Sequence, residues 1–174
     1  IPAKDYTDIP HAQVHRGFGE GTMILLKDKK EGILNYMKNI PNGSTIIITG
    51  HSQGASMAVL IHAYLHKRFG DKYKYKSYVF AQPKVGNNQF SLAYSMSNPD
   101  SWVFNNTLDI VPKVPLTLQD VSDVEENGDD ENSRYYMPAG TVIALKGHPN
   151  KTDDRFFQHH GEVYRQLFIE RYGQ

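Results

Sequence analysis

The stretch Thr45-Ile46-Ile47-Ile48-Thr49-Gly50-His51-Ser52-Gln53-Gly54-Ala55-Ser56-Met57-Ala58-Val59-Leu60 leaves this chain few ways to fold. Residues 45–49 are a run of β-branched side chains, which suit an extended backbone and mark a buried strand. Residues 55–65 are rich in Ala, Leu and Met at helical spacing. What lies between reads Gly50-x-Ser52-x-Gly54, the pattern of a very tight strand-to-helix turn that carries a serine at its apex. Glycines are expected at 50 and 54 because side chains there would collide with strand and helix, and Ser52 is expected at strained backbone angles. One reading makes Ser52 a simple helix cap. The other makes it a nucleophile, its hydroxyl held at a helix N-terminus where negative charge is favoured.

The rest of the chain repeats the alternation. Residues 1–17, with Pro2, Pro10 and Gly17, read as an irregular arm. An amphipathic helix is expected over 18–40, irregular near Gly32 and ended by Pro41-Asn42-Gly43. The helix after Ser52 runs to about Phe69, further strands are expected over 74–82, 102–105 and 141–145, and a short helix over 88–97. Val163, Tyr164, Leu167 and Phe168 mark a closing helix. Strands alternating with helices make βαβ units, so the expected fold class is α/β, a mostly parallel sheet flanked by helices in one domain over 1–174. Ligands gather at the carboxyl ends of strands in such sheets, and Ser52 and Asp109 both fall just past strand ends.

Composition removes several functions. Lys plus Arg and Asp plus Glu number 19 each, so no global field favours nucleic acid. Without cysteine there is no disulfide scaffold, thiol nucleophile or cysteine zinc site. No apolar run approaches membrane-spanning length. The start, Ile1-Pro2-Ala3, has neither Met nor an apolar signal region, as expected of a trimmed chain. Residues 119–133 form an acidic loop, in which Asp123-x-Glu125-x-Asn127-Gly128 faintly resembles a calcium site. Its twelfth position is Arg134 where a bidentate Glu is needed, so a solvated surface excursion is the reading kept.

A nucleophilic serine needs a base, and the base an orienting carboxylate. With this kind of turn the order is Ser, then Asp or Glu, then His. Among the eight histidines, His11 and His15 precede Ser52, and His51 adjoins it but is expected to point away from the reacting side. His62 and His66, four apart on one helix, read as its polar flank, because a metal pair there would want further ligands. His148 lies in a loop after the last strand; His159 and His160 precede the closing helix, well placed to swing over a strand end. Asp109 stands out as the carboxylate, whereas Asp153 and Asp154 sit in a charged loop. A strand-end Asp that satisfies backbone amides is the plain alternative for Asp109.

Five motifs then fall in one order: Val14-His15-Arg16-Gly17-Phe18, Thr49-Gly50-His51-Ser52-Gln53-Gly54, Ala81-Gln82-Pro83-Lys84-Val85-Gly86-Asn87, Asn106-Thr107-Leu108-Asp109-Ile110-Val111-Pro112-Lys113-Val114-Pro115 and His159-His160-Gly161-Glu162-Val163-Tyr164. Together they resemble the class 3 (fungal-type) lipase family of the α/β-hydrolase fold. The resemblance implies Ser52 as nucleophile, Asp109 as orienting acid and His159 as general base, with the backbone N–H of Gln53 donating to the oxyanion. His160 stays open as the base, since the spacing to the tyrosine varies among members. The implied reaction is hydrolysis of acylglycerols or other lipid esters through an acyl-enzyme, with no metal or cofactor. Alternatives are an esterase for small or aromatic acyl esters and a lipase-like binding module without turnover. Members usually carry further strands, an F-R-G-[ST] segment with a second oxyanion donor and a lid helix ahead of the first motif. Residues 1–17 hold none of these, so the expectation is an N-terminally incomplete domain, completed by a missing segment or a second chain. Implied partners are an ester substrate and transient lipid-interface contact. The family habit, with sequons starting at Asn42, Asn105 and Asn150, points to secretion.

Overall fold

The computed structural model describes residues 1–115, 136–150, 154 and 156–173. The acidic loop with its calcium-like motif, and Asp153, lie outside them. In order, the elements are α1 (Arg16–Lys27), α2 (Ile33–Met37), β1 (Thr45–His51), α3 (Gln53–Phe69), β2 (Lys74–Phe80), β3 (Gly86–Asn87), α4 (Asn88–Ser97), β4 (Ser101–Asn106), β5 (Tyr136–Met137), β6 (Thr141–Leu145) and α5 (Gly161–Tyr172). β1, β2, β4 and β6 form a parallel sheet in that order. The expected helix over 18–40 is two helices. The Asp28 carboxylate accepts the N–H groups of Lys30 and Glu31, which offers the backbone a turn in place of a helix. A side chain at Gly32 would place its Cβ 2.4 Å from the Asp28 carbonyl, so the chain passes itself there only with glycine.

Alternation along the strands divides the core. Ile48, Val79 and Val103 face one side, where they pack with Leu60, Tyr64, Phe90 and Tyr94 from α3 and α4. Phe80, Phe104 and Leu145 face the other and meet Tyr164, Leu167 and Phe168 of α5. Phe168 stands edge-on to the stacked Phe80 and Phe104 rings, at centroid distances of 5.7 and 5.1 Å. Such ring pairs contribute about 0.5–1.5 kcal/mol beyond burial and anchor α5 on the sheet. The N-terminal arm is irregular, as expected, yet it is core: Ala3, Tyr6, Ala12 and Val14 are buried, and Tyr6 donates to the Gly19 carbonyl.

β3 and β5 form a two-residue antiparallel pair that periodicity did not foretell. Asn87 secures it from a distance: its Oδ1 accepts from Gln13 and Phe90, and its Nδ2 donates to His11. Gln82, fully buried, both donates to and accepts from the Ala139 backbone.

The two glycines around Ser52 are not equivalent. A Cβ on Gly50 would lie 2.3 Å from the Gly54 carbonyl oxygen and 2.9 Å from the Ala55 nitrogen, both backbone atoms. A Cβ on Gly54 meets nothing within 4 Å, so the expected collision exists at Gly50 alone. Gly50→Ala should therefore destabilise by about 3 kcal/mol through forced separation of β1 and α3. Gly54→Ala should be neutral or stabilise by up to about 1 kcal/mol, from helix propensity. Urea midpoints of the two variants check the contrast, and equal losses would refute it.

His62 also departs from its expected place on a polar flank. It is 1 % exposed, and its Nδ1 lies 2.9 Å from the Tyr94 hydroxyl and 3.1 Å from Ser77 Oγ. Ser101 Oγ completes the cluster, 2.7 Å from both hydroxyls. Burial, and secondarily the neighbouring His66, push the His62 imidazole down from 6.5 to about 4. The unfolded chain takes up this proton as pH falls through about 6.5, the folded chain only near 4. Stability linked to His62 is thus full above pH 6.5 and falls progressively toward pH 4, by on the order of 3 kcal/mol. Denaturation at pH 7 and pH 4.5 should show this loss, and His62→Gln should flatten it. An unchanged pH slope in that variant would exclude His62 as the cause.

Candidate active site

Ser52 joins β1 to α3 at φ 59°, ψ −130°. A non-glycine residue held there costs about 1–3 kcal/mol, as the sequence pattern led us to expect. The turn is tied down because the Ser52 N–H donates to the Phe80 carbonyl at the end of β2. Gln53 is the first residue of α3, so its N–H has no intrahelical acceptor and stands at the positive end of the helix dipole.

Asp109 follows β4 on a turn closed by its own N–H donating to the Asn106 carbonyl. It is 1 % exposed, and a buried carboxylate is tolerable only when its oxygens are satisfied. Oδ1 accepts from the Val111 N–H at 2.9 Å; Oδ2 accepts from the Tyr164 hydroxyl and from His159 Nδ1, each at 2.8 Å. His159 closes the 3-10 turn Phe157–His159 ahead of α5. A carboxylate only accepts, so the His159 proton sits on Nδ1 and the Nε2 lone pair is left for the Ser52 hydroxyl, 2.7 Å away. Ser52, His159 and Asp109 thus form one hydrogen-bonded line across residues far apart in sequence.

The other histidines stand elsewhere. His160 caps α5 and lies 3.2 Å from Asp154, so of the two neighbouring candidates His159 is the one that meets Ser52. His148 pairs with Glu170. His51 has a partner that the sequence did not suggest. Alternation turns Thr45, Ile47, Thr49 and His51 toward the α5 side of the sheet, and His51, at the strand end, arrives behind His159. Their rings are 4.8 Å apart, and His51 Nε2–H donates to the His159 carbonyl at 2.9 Å. Partial burial first, and the neighbouring His159 second, hold the His51 imidazole below its ordinary value.

Tyr164 and Asn106 each fall within one of the five motifs, and together they brace Asp109 and the turn that carries His159. The Tyr164 hydroxyl accepts from the Asn106 N–H at 3.0 Å while donating to Asp109, and Asn106 Nδ2 donates to the Gln158 carbonyl. Burial pushes ionisation of this phenol far up, so it remains a donor to Asp109. A tyrosine five positions after His159 was the available signal.

The sequence model of the class 3 lipase family matches residues 2–119. A secreted mono- and diacylglycerol lipase of Malassezia restricta, LIP4, is 39 % identical over 75 residues, 43 % of this chain and 24 % of that protein. Lipase ZK262.3 of Caenorhabditis elegans is 34 % identical over 104 residues, 59 % of this chain and 28 % of that one. The chain therefore spans about a quarter of the length of these curated relatives. The crystal structure of M37 lipase superposes with a TM-score of 0.75 over 93 % of this chain and 60 % of that chain, at 18 % identity. That likeness establishes the fold as α/β-hydrolase-type, in agreement with the parallel sheet and its flanking helices. Matched along more than half its length by the family's sequence model, the chain belongs to the class 3 lipases.

Proposed function

We propose that this chain carries the reaction centre of a serine carboxylic ester hydrolase acting on lipid esters. The observation that supports it most is the hydrogen-bonded line from Ser52 Oγ through His159 to Asp109. In this reading His159 Nε2 takes the Ser52 proton as Oγ attacks the ester carbonyl. Asp109 holds the Nδ1–H tautomer and stabilises the imidazolium. The Gln53 N–H donates to the oxyanion, a contribution of about 2.7–4 kcal/mol for such a donor. Collapse breaks the ester C–O bond, His159 returns its proton to the leaving alcohol, and an acyl group stays on Ser52. Water, deprotonated by His159, then attacks the acyl carbonyl; the bond to Ser52 Oγ breaks, His159 returns the proton to Oγ, and the acid leaves.

Substrate and location follow the relatives. Both named relatives are lipases, one of them a secreted mono- and diacylglycerol lipase, so acylglycerols outside the cell are the proposed setting. Leu108 and Ile110, on either side of Asp109, and Phe156, ahead of the His159 turn, are exposed and suit a lipid substrate. The test is a fluorophosphonate probe with adduct mapping, run beside hydrolysis of short- and long-chain p-nitrophenyl esters. Adduct at Ser52 with preference for long chains supports a lipase; preference for short chains makes it an esterase. Folded protein that does not label at Ser52 overturns the hydrolase reading.

A further inference from the structure

We infer that His51 is a positioning residue for His159, a role that rests on the hydrolase reading above. His159 lies on a short 3-10 turn rather than on a strand or helix, and its imidazole must hold a lone pair against Ser52 and an N–H against Asp109 at once. Side-chain bonds orient the ring, but something must fix the backbone from which it hangs. His51 supplies that anchor. It is the last residue of β1, directly before Ser52, and its Nε2–H donates to the His159 carbonyl at 2.9 Å. The turn carrying the base is thereby bonded to the strand carrying the nucleophile.

The tether has support on its other faces. Tyr164 packs edge-on against the His51 ring at 5.6 Å, while the His159 ring lies 4.8 Å away on a tilted plane. The hydrogen bond to a carbonyl requires the proton on Nε2, and the imidazole is held below its ordinary value, so at neutral pH His51 is an uncharged Nε2–H donor. An uncharged donor suits this place, because a second cation would oppose the imidazolium that forms on His159 during turnover. The residue before the serine thus contributes reach and neutrality, not chemistry on the substrate.

The experiment compares His51→Phe, which keeps a ring and loses the donor, with His51→Gln, whose side-chain N–H reaches nearly the same point. Each is assayed for kcat and KM on a p-nitrophenyl ester, for the fluorophosphonate labelling rate at Ser52, and for thermal midpoint. We expect H51F to lose about tenfold in kcat and in labelling rate with KM and midpoint unchanged. H51Q should recover most of the loss. A merely structural role would lower the midpoint of H51F without a selective fall in kcat. Equal labelling rates in wild type and H51F, or H51Q as slow as H51F, overturn the positioning role alone. Absence of labelling in the wild-type protein overturns the hydrolase reading and the role with it.

Discussion

Ser52→Ala is expected to lower kcat by about a millionfold, the cost of deleting the nucleophile from a serine hydrolase. The fold should not notice. Alanine bears the same backbone strain at φ 59°, and the side-chain hydrogen bond removed among the described residues is the one to His159. Far-ultraviolet circular dichroism and the thermal midpoint should therefore match wild type while ester hydrolysis vanishes. Residual turnover within tenfold of wild type would place the nucleophile elsewhere.

Asp109→Asn should cost about 10⁴-fold in kcat for a reason that concerns one proton. The amide fills the same space, and its oxygen can keep the Val111 N–H. Its NH₂ group would then face two groups that now donate to Oδ2, His159 Nδ1–H and the Tyr164 hydroxyl. Donor against donor is relieved when the imidazole moves its proton to Nε2, and His159 then presents N–H to Ser52 in place of a lone pair. Because the proposed mechanism has serine, base and acid act as a unit, Ser52→Ala with Asp109→Asn should be scarcely slower than Ser52→Ala alone. Kinetics of the single and double variants check this, and additive losses would mean that Asp109 acts independently of the line.

How much of this was legible in the sequence depended on the distance over which each residue acts. The β-branched run, the Ser52 turn and α3 are decided within some twenty-five neighbouring residues, and strand, turn and helix appear where periodicity put them. Asp109 and His159 were reached through chain order and motif resemblance. His159 stands 50 residues from Asp109 and 107 from Ser52, a meeting that no local pattern encodes. Legibility failed where a side chain's partner was distant. His62 has helical spacing that reads as a flank, and only its contacts with Ser77 and Tyr94 make it core. Gln82, at the end of an expected strand, and Asn87 and Asn106 carry no local sign of a partner, yet each satisfies backbone groups brought in from elsewhere. At Gly54 the motif implies a collision that does not exist, since open space above a residue is invisible to a motif.

The backbone at Ser52 has a consequence on the scale of descent. Glycine adopts φ near 59° without the penalty that serine bears, so replacing Ser52 by glycine would relax the turn. Most proteins sit only a little above the stability they require, and random substitution is filtered mainly by that threshold. Ser52→Gly should accordingly gain stability while it gives up the hydroxyl. Under the proposed hydrolase reading, activity and stability therefore pull in opposite directions at position 52.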